Sequence, residues 1–220
     1  MSTVADTIVA GEALLLSPER AAFWPRRAML LIADPHFGKA ASFRALGVRA
    51  PAGTTAASLA RMDRLIETHA PGRIVFLGDL LHAKEGRNAA TFASLAEWRQ
   101  KHSAVEMQLV RGNHDRRAGD PPAEVGITCV DAPLIDAPFA LAHHPVVTPG
   151  HFTLAGHIHP CAVLTGRARQ RERLPCFWFG ATVGVLPAFG EFTGCAEVSA
   201  EETDELWVIA NDEVCRVNRA

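Results

Sequence analysis

The 220-residue sequence lacks the signals of a secreted, disulfide-stabilised or membrane-spanning protein. It has no basic N-terminal region followed by an apolar run and a small-residue cleavage site, and no stretch approaches the roughly 18 apolar residues of a membrane span. The five cysteines are widely spaced, form no C-x-x-C pair and are odd in number, which favours a reducing compartment over a disulfide framework. We therefore expect a cytoplasmic protein with no membrane contact.

The sequence also lacks a strong net charge and any sign of a boundary between domains. The formal net charge is −2, so the whole molecule has no electrostatic attraction to nucleic acid, and a polyanionic substrate would need a local basic patch. The sequence has no repeat, no low-complexity segment and no linker, and 48% of its residues are hydrophobic. This length and composition predict a single domain, residues 1–220, with one substantial core.

Strands and helices alternate in the first half of the chain. Apolar runs predict strands at 28–34, 73–79 and 105–110, and apolar residues at helical spacing predict helices at 54–70 and 88–102. Such an alternation is typical of parallel strands joined by helices, which bury both faces of a sheet. Side chains that can cap the two helices are Thr54 or Thr55 for the first and Asn88 for the second.

After residue 125 the helical spacing disappears. Short apolar runs such as "FALAHH", "FTLAGH" and "LPCFWFG" follow one another between glycine, proline or charged turns, a pattern typical of mostly antiparallel sheet. Packing this second sheet against the first gives an α/β fold, specifically a four-layer α/β/β/α sandwich.

Polar residues follow five of the predicted strands, where each strand ends. A single Asp or His there would be an ordinary cap or loop residue, but five groups in order are not ordinary. Carboxylates, imidazoles and one amide, without a thiolate, are the ligands that two divalent cations require. A period of two would put both members of D-x-H and of H-x-H on one face of an extended strand. The residues are Asp34, His36, Asp79, Asn113, His114, Asp115, His143, His157 and His159.

The order D-x-H, G-D, G-N-H-D, H and G-H-x-H resembles the calcineurin-like metallophosphoesterase superfamily. The flanks "LLIADPHFGKAASFRALGVRAPAGTT" and "RIVFLGDLLHAK" are similar to its PdeM-type branch, the ligase-associated phosphoesterases implicated in DNA repair. Two features depart from that branch. Pro35 replaces a residue that is more often aliphatic, and "HHP" stands where the branch often has His-Glu-Pro.

The resemblance implies a role for each polar residue. Asp34, His36 and His159 would bind one metal, Asn113, His143 and His157 the other, and Asp79 would bridge them. A hydroxide held between the metals would attack phosphorus in line, while His114 would act as general acid or transition-state stabiliser, oriented and kept protonated by Asp115. Because only nitrogen and oxygen ligands are present, we expect Mn²⁺, with Zn²⁺, Fe²⁺ or Ni²⁺ as alternatives. His82 and His144 lie close to these motifs, and a supporting contact from either is left open.

Basic residues near the motifs indicate how a phosphate could be held. Lys39, Arg44 and Arg116 are the predicted substrate-binding residues, since guanidinium groups grip phosphate oxygens in pairs. The arginine-rich segment 166–173 predicts a β-hairpin tip. Together with the resemblance, these residues predict an endonuclease for single-stranded DNA in DNA repair, with a functional link to DNA ligase and helicase repair proteins.

Two other functions are compatible with the same residues. One is a phosphodiesterase for small molecules or a nucleotide pyrophosphatase, whose substrate one or two arginines could hold. The other is a non-catalytic protein-binding scaffold, which the full ligand set argues against. An amidohydrolase barrel is disfavoured, because it would begin with H-x-H and contain eight alternating strands and helices.

Overall fold

The structure, a computed structural model, describes residues 3–82, 87–165 and 171–217. Its first sheet has seven strands in chain order. The predicted strands of the first half are confirmed as the fourth, fifth and sixth, which run parallel. The strands are β1 (Ala5–Val9), β2 (Glu12–Ser17), β3 (Ala21–Trp24), β4 (Met29–Ala33), β5 (Arg73–Leu77), β6 (Glu106–Val110) and β7 (Thr128–Val130).

The antiparallel strands β1, β2 and β3 were not predicted from the sequence. They extend the sheet beyond β4, with β1 at its outer edge. Buried and exposed residues do not alternate regularly in these strands: β3 is buried along its whole length, whereas β1 is partly exposed.

Four α-helices precede residue 120 in the described part of the chain. They are α1 (Lys39–Ala45), α2 (Thr54–His69), α3 (Ala89–Lys101) and α4 (Asn113–Ala118). The predicted helices are confirmed as α2 and α3, and Asn88 caps α3 by accepting a hydrogen bond from the Thr91 N–H. The predicted cap of α2 is wrong: Gly53 is its N-cap, in a left-handed conformation. Thr55 instead accepts a 3.5 Å hydrogen bond from the Gly38 N–H.

The first sheet buries both of its faces, as predicted for parallel strands. In β4, Leu30 and Ile32 pack towards α2 and α3 in one apolar cluster. Leu31 and Ala33, on the opposite face, pack against the second sheet in another. The alternation of side chains along one strand therefore joins the helical layer to the second sheet.

The second sheet has nine strands in the order β14-β11-β12-β13-β10-β9-β8, with β15 beside β12 and β16 beside β15. Their bounds are β8 (Leu134–Asp136), β9 (Phe139–Leu141), β10 (Phe152–Ala155), β11 (Pro160–Thr165), β12 (Arg171–Phe179), β13 (Val183–Val185), β14 (Ala196–Glu197), β15 (Glu205–Ala210) and β16 (Glu213–Arg216). Hairpin pairs are antiparallel as predicted, but β10 runs parallel to both β9 and β13. The carboxyl ends of β9 and β10 consequently lie at one edge.

The predicted α/β fold with two packed sheets is confirmed, and the layers outside the two sheets differ. Helices α2 and α3 cover one face of the first sheet. A small third apolar cluster lies on the second sheet, around Cys176 and Leu206, and consists of strand and loop residues. The predicted hairpin tip falls mainly on residues 166–170, which lie outside the described residues. Its flanking strands β11 and β12 pair antiparallel up to Thr165 and Arg171.

Candidate active site

Five loops bring the predicted polar residues to one edge shared by both sheets. Asp34, Asp79 and Asn113 follow β4, β5 and β6 of the first sheet. His143 and His157 follow the parallel strands β9 and β10 of the second sheet. Carboxyl ends of neighbouring parallel strands lie together, so two aligned sheets concentrate these side chains in one pocket.

One group of donors consists of Asp34, His36 and His159, whose ligand atoms all lie within 4.8 Å of one another. The Nε2 atoms of His36 and His159 are 3.3 Å apart, and His159 Nε2 is 3.7 Å from Asp34 Oδ1. The other ring nitrogen of His159, Nδ1, donates to the Gly194 carbonyl at 3.0 Å. This bond fixes the tautomer and points the Nε2 lone pair at the pocket.

A second group of donors surrounds His143, which is fully buried. Its Nε2 lies 2.9 Å from Asn113 Oδ1 and 3.0 Å from His157 Nδ1. His143 Nδ1 is 3.1 Å from the Leu77 carbonyl, which can accept its proton. His144 can also reach this group, since His143, His144 and His157 form a second potential metal-binding cluster.

Asp79 lies between the two groups. Its Oδ2 atom is 3.5 Å from His143 Nε2, and Asp34, Asp79 and His143 form a third cluster of potential ligands. Its Oδ1 atom accepts the His114 N–H at 2.9 Å. Burial raises the pKa of Asp79 to about 6, outweighing the opposing effect of this hydrogen bond, and the negative charge of Asp34 acts in the same direction as burial.

Five of these side chains are carried by a left-handed backbone. Asp34, His36, Asp79, His157 and His159 have φ between 47° and 72°, a conformation that non-glycine residues adopt at a cost of about 1–3 kcal/mol each. The expectation that these residues continue an extended strand is therefore wrong, although Asp34 and His36 do lie in one donor group as predicted. The strands end at Ala33 and Ala155, and the sharp turns that follow them aim the side chains.

Two glycines leave room for the carboxylates. A Cβ on Gly156 would overlap Asp34 Oδ2, and a Cβ on Gly112 would overlap Asp79 Oδ1. The glycines of "AGHIH" and "RGNHD" are therefore required by close approach between neighbouring loops.

The donor chemistry fits divalent cations. Asp34 Oδ1 and His36 Nδ1 are buried, and neither has a hydrogen-bond partner among the described residues. Burial lowers the pKa of His36, so its imidazole is neutral and its lone pair is available. Imidazole nitrogens and buried carboxylate oxygens that lie within 4.8 Å of one another favour a divalent cation between them.

His114 and Asp115 lie beside the donors but do not form the predicted pair. The partner of His114 Nδ1 is the carbonyl oxygen of His82, and His114 Nε2 lies 3.9 Å from Asp79 Oδ2. The Asp115 carboxylate instead accepts the backbone N–H groups of Gly112 and Asp79, at 2.9 and 2.7 Å. The expected orientation of His114 by Asp115 is thus corrected: the His82 carbonyl holds the imidazole, and Asp115 joins two loops.

The predicted phosphate-binding residues differ in their surroundings. Lys39 begins α1 and faces the negative charges of Asp34 and Asp79, although burial lowers its pKa. Arg44 donates to the carbonyls of Ala50 and Pro51. Arg116 pairs with Asp131 at 3.0 Å. Of these three cations, Lys39 is the one whose charge is directed at the carboxylates of the site.

Sequence reasoning missed the contribution of segment 189–194. The Gly190 N–H donates to the Asp34 carbonyl at 3.1 Å, and the Gly194 carbonyl holds His159. The contacts are made by backbone atoms, which leave no side-chain signature in the sequence.

Two further histidines have structural partners away from the site. His69, at the end of α2, stacks on Phe23. His102, the C-cap of α3, bonds to Asp63. Neither ring takes part in the donor groups.

The fold and the donor set are those of a metal-dependent phosphoesterase. Across 98% of its length the chain matches the crystal structure of Pseudomonas putida nuclease MPE, with 43% identity, a TM-score of 0.87 and 100% of that chain covered. A likeness to Yfce, a phosphoesterase from E. coli, has 14% identity, a TM-score of 0.41 and coverage of 83% of this chain and 88% of that chain. Neither a scan against protein-family models nor a search of curated proteins gives a match.

The chain belongs to the metallophosphoesterase superfamily, in the branch that contains this nuclease. It is an enzyme, a phosphoesterase that uses divalent metal ions. No helix in the described ranges has the length and apolar character needed to cross a bilayer.

Proposed function

We propose that this protein is a dinuclear metal-dependent nuclease that hydrolyses phosphodiester bonds in single-stranded DNA. The observation that carries the proposal is the convergence of carboxylate, imidazole and amide donors from both sheets, in a chain 43% identical to a nuclease over 98% of its length. Asp34, His36 and His159 would hold one cation, Asn113, His143 and His157 the other, and Asp79 lies where it could bridge them.

Bound divalent cations would supply an activated water as the nucleophile and offset the negative charge of the phosphate. The buried carboxylates and the imidazoles of the chain would hold the cations in place. His114 is 31% exposed, so its Nε2 can reach a substrate oxygen. Its protonated form would stabilise negative charge in the transition state or protonate the leaving oxygen.

Lys39 is the cation best placed to bind a non-bridging phosphate oxygen. It follows the ligand His36 by three residues, and its charge faces the same carboxylates. Lysine binds phosphate as a point charge with several donor hydrogens. Arg44 and Arg116 would contribute only after exchanging their present partners for a phosphate.

The proposed metal is Mn²⁺. The first group contains one carboxylate and two imidazoles, and the second contains two imidazoles and an amide oxygen, in each case with Asp79 nearby. This mixture suits a metal that tolerates six ligands and exchanges water readily. A cytoplasmic role in DNA repair, linked to DNA ligase and helicase proteins, rests on the resemblance of the flanking sequences alone.

The test is hydrolysis of single-stranded DNA, duplex DNA and bis(4-nitrophenyl) phosphate by metal-stripped protein supplied with Mn²⁺, Zn²⁺, Fe²⁺ or Ni²⁺. We expect turnover to vanish in chelator, to return most fully with Mn²⁺, and to be faster on single strands than on duplex. Full activity of the stripped protein would contradict the metal mechanism. An Asp79→Ala variant prepared in parallel controls for a contaminating nuclease.

A small phosphodiester or a nucleotide pyrophosphate is the second candidate substrate. Arg111 pairs with Asp120 through two 2.7 Å hydrogen bonds, and Arg116 pairs with Asp131. Because these acids pair with the two arginines, neither arginine would contact a long polyanion without exchanging its partner. Efficient turnover of a cyclic dinucleotide, with no cutting of DNA at low salt, would favour this candidate.

A further inference from the structure

A row of four rings leads out of the pocket, starting at His114. The His114 and His82 rings are stacked, with centroids 5.0 Å apart and an angle of 21°. His82 is stacked in turn on Phe43 of α1, at 5.8 Å and 29°. Phe43 meets Phe192 edge-on at 5.6 Å and 89°. The site is thus continuous with an aromatic surface, which we call the aromatic row (His114, His82, Phe43 and Phe192).

Phe192 is held in an exposed position by a strained backbone. Its side chain is 44% exposed, and its φ is 57°, a conformation uncommon for a bulky residue. The neighbouring residues are anchored: Glu191 pairs with the buried Arg61 at 2.8 Å, and the Gly194 carbonyl holds the ligand His159. The loop therefore keeps the Phe192 ring partly in solvent, two residues before the carbonyl that holds His159.

Two exposed apolar residues follow Phe43 in the chain. Leu46, the C-cap of α1, is 71% exposed, and Val48, whose N–H donates to the Phe43 carbonyl at 3.0 Å, is 47% exposed. Isolated exposed apolar residues need no explanation. Phe192 does need one, because its backbone is strained and ring contacts connect it to His114.

We propose that the aromatic row is a subsite on which an unpaired nucleobase of the substrate stacks, next to the phosphate held at His114. The inference rests on the proposed nuclease function and deepens it. Every base has an apolar face, so stacking on phenylalanine tolerates any sequence. A base within a duplex is already stacked and paired, and would have to leave its partner to lie on these rings. The row therefore selects single strands without reading their sequence.

The test compares two single-stranded oligonucleotides of equal length, one with normal bases and one built entirely of abasic sites. We expect the wild-type kcat/KM to be about 5- to 100-fold higher for the oligonucleotide with bases, the range expected for one stacked base. In Phe192→Ala and in Phe43→Ala the ratio should fall towards 1, whereas Phe192→Trp should keep it. Ile8→Ala, which removes a 67% exposed apolar side chain on the edge strand β1, is the matched control and should keep the wild-type ratio.

A spectroscopic measurement accompanies the kinetics. Stacking changes the fluorescence of 2-aminopurine in a bound oligonucleotide, and the change should be lost in Phe192→Ala at saturating protein. Equal kcat/KM for the two oligonucleotides in the wild type, or an unchanged ratio in both alanine variants, would overturn the stacking subsite while leaving the nuclease function intact. Hydrolysis of bis(4-nitrophenyl) phosphate with no cutting of either oligonucleotide would overturn both.

Discussion

At the scale of single residues, Asp79 and His114 differ in what they contact. Asp79 is 2% exposed and lies against both donor groups. His114 is held outside those groups by the His82 carbonyl. We therefore expect replacement of the two residues to have different effects on metal content and turnover.

Replacing His114 with alanine should leave the metal content unchanged and reduce kcat by about 10²- to 10⁴-fold, the usual contribution of a general acid. Replacing Asp79 with alanine should abolish both metal binding and turnover. Metal content measured by mass spectrometry, together with kinetics on diesters of graded leaving groups, separates the two cases. The His114→Ala defect should shrink as the leaving group improves. A metal-free His114→Ala protein would show that His114 is a ligand.

At the scale of structural elements, Asp115 connects two strand ends. Its carboxylate accepts N–H groups from Gly112, the N-cap of α4, and from Asp79, after β5. It is 1% exposed, so removing it would leave buried donors unpaired, at a cost of about 1–3 kcal/mol each.

We therefore predict that Asp115→Ala weakens metal binding at least tenfold and lowers the free energy of unfolding by about 2–5 kcal/mol. Calorimetric titration with Mn²⁺ and urea unfolding in chelator measure the two effects. If Asp115 acted only by orienting His114, the variant would bind metal like the wild type and lose only turnover. Arg117→Ala, on the exposed side of the same helix, is the control.

A second element-scale contact joins α2 to α3. The Asp63 carboxylate on α2 accepts hydrogen bonds from Trp98, His102 and Lys101, at 2.6 to 2.9 Å. Burial acts to raise the pKa of Asp63, but the bonds from Lys101, His102 and Trp98 together hold it below its usual value of 3.8. A carboxylate with a lowered pKa stabilises the folded state above the unfolded pKa and loses that effect as the pH falls through the folded pKa.

Asp63→Asn should consequently lower the free energy of unfolding by about 1 kcal/mol at pH 7, a value reduced for solvent screening of this partly exposed group. The difference from wild type should be the same at pH 5 and should shrink only below about pH 4. Urea unfolding in chelator at each pH gives the comparison. A difference that already shrank between pH 7 and 6 would contradict the assignment to the Asp63 carboxylate.

At the scale of the whole molecule, the site lies where the two sheets meet. Asp34, Asp79 and Asn113 come from the first sheet, and His143, His157 and His159 come from the second. Cations bound by both sheets would be released on unfolding, so they should stabilise the folded protein by mass action.

Adding Mn²⁺ at about 100 times its Kd should contribute about 2.7 kcal/mol for each site. For a chain of this length that corresponds to a rise in Tm of about 5–10 °C per site, and chelator should reverse it. Differential scanning calorimetry of wild type and Asp79→Ala, with and without Mn²⁺, checks the prediction. An equal rise in the variant would place the stabilising ions elsewhere.

Much of the site was predictable because its chemistry is local in sequence. Each donor group follows an apolar strand directly, so the order of motifs is enough to identify Asp34, Asp79 and His143 as neighbours in space. The parallel strands β4 to β6 and the cap at Asn88 followed equally from spacing. The hairpins of β1 to β3 did not, because the burial of these strands departs from a strict period of two. The parallel pairing of β10 with β13 did not either, because it skips the two strands between them in the chain.

The sequence by itself determined the donor types, their order and the apolar strands that carry them, since these depend on residue identity and short-range spacing. Tertiary structure alone decided how the donors are aimed: left-handed turns replaced the expected extended spacing, Asp115 joined two loops rather than contacting His114, and Arg44 and Arg116 found carbonyl and acidic partners. It also placed Phe192 beside Phe43, although 149 positions separate them in the sequence. Contacts of this kind depend on where loops cross, and loop crossings are set by the packing of the two sheets rather than by the residues that flank each loop.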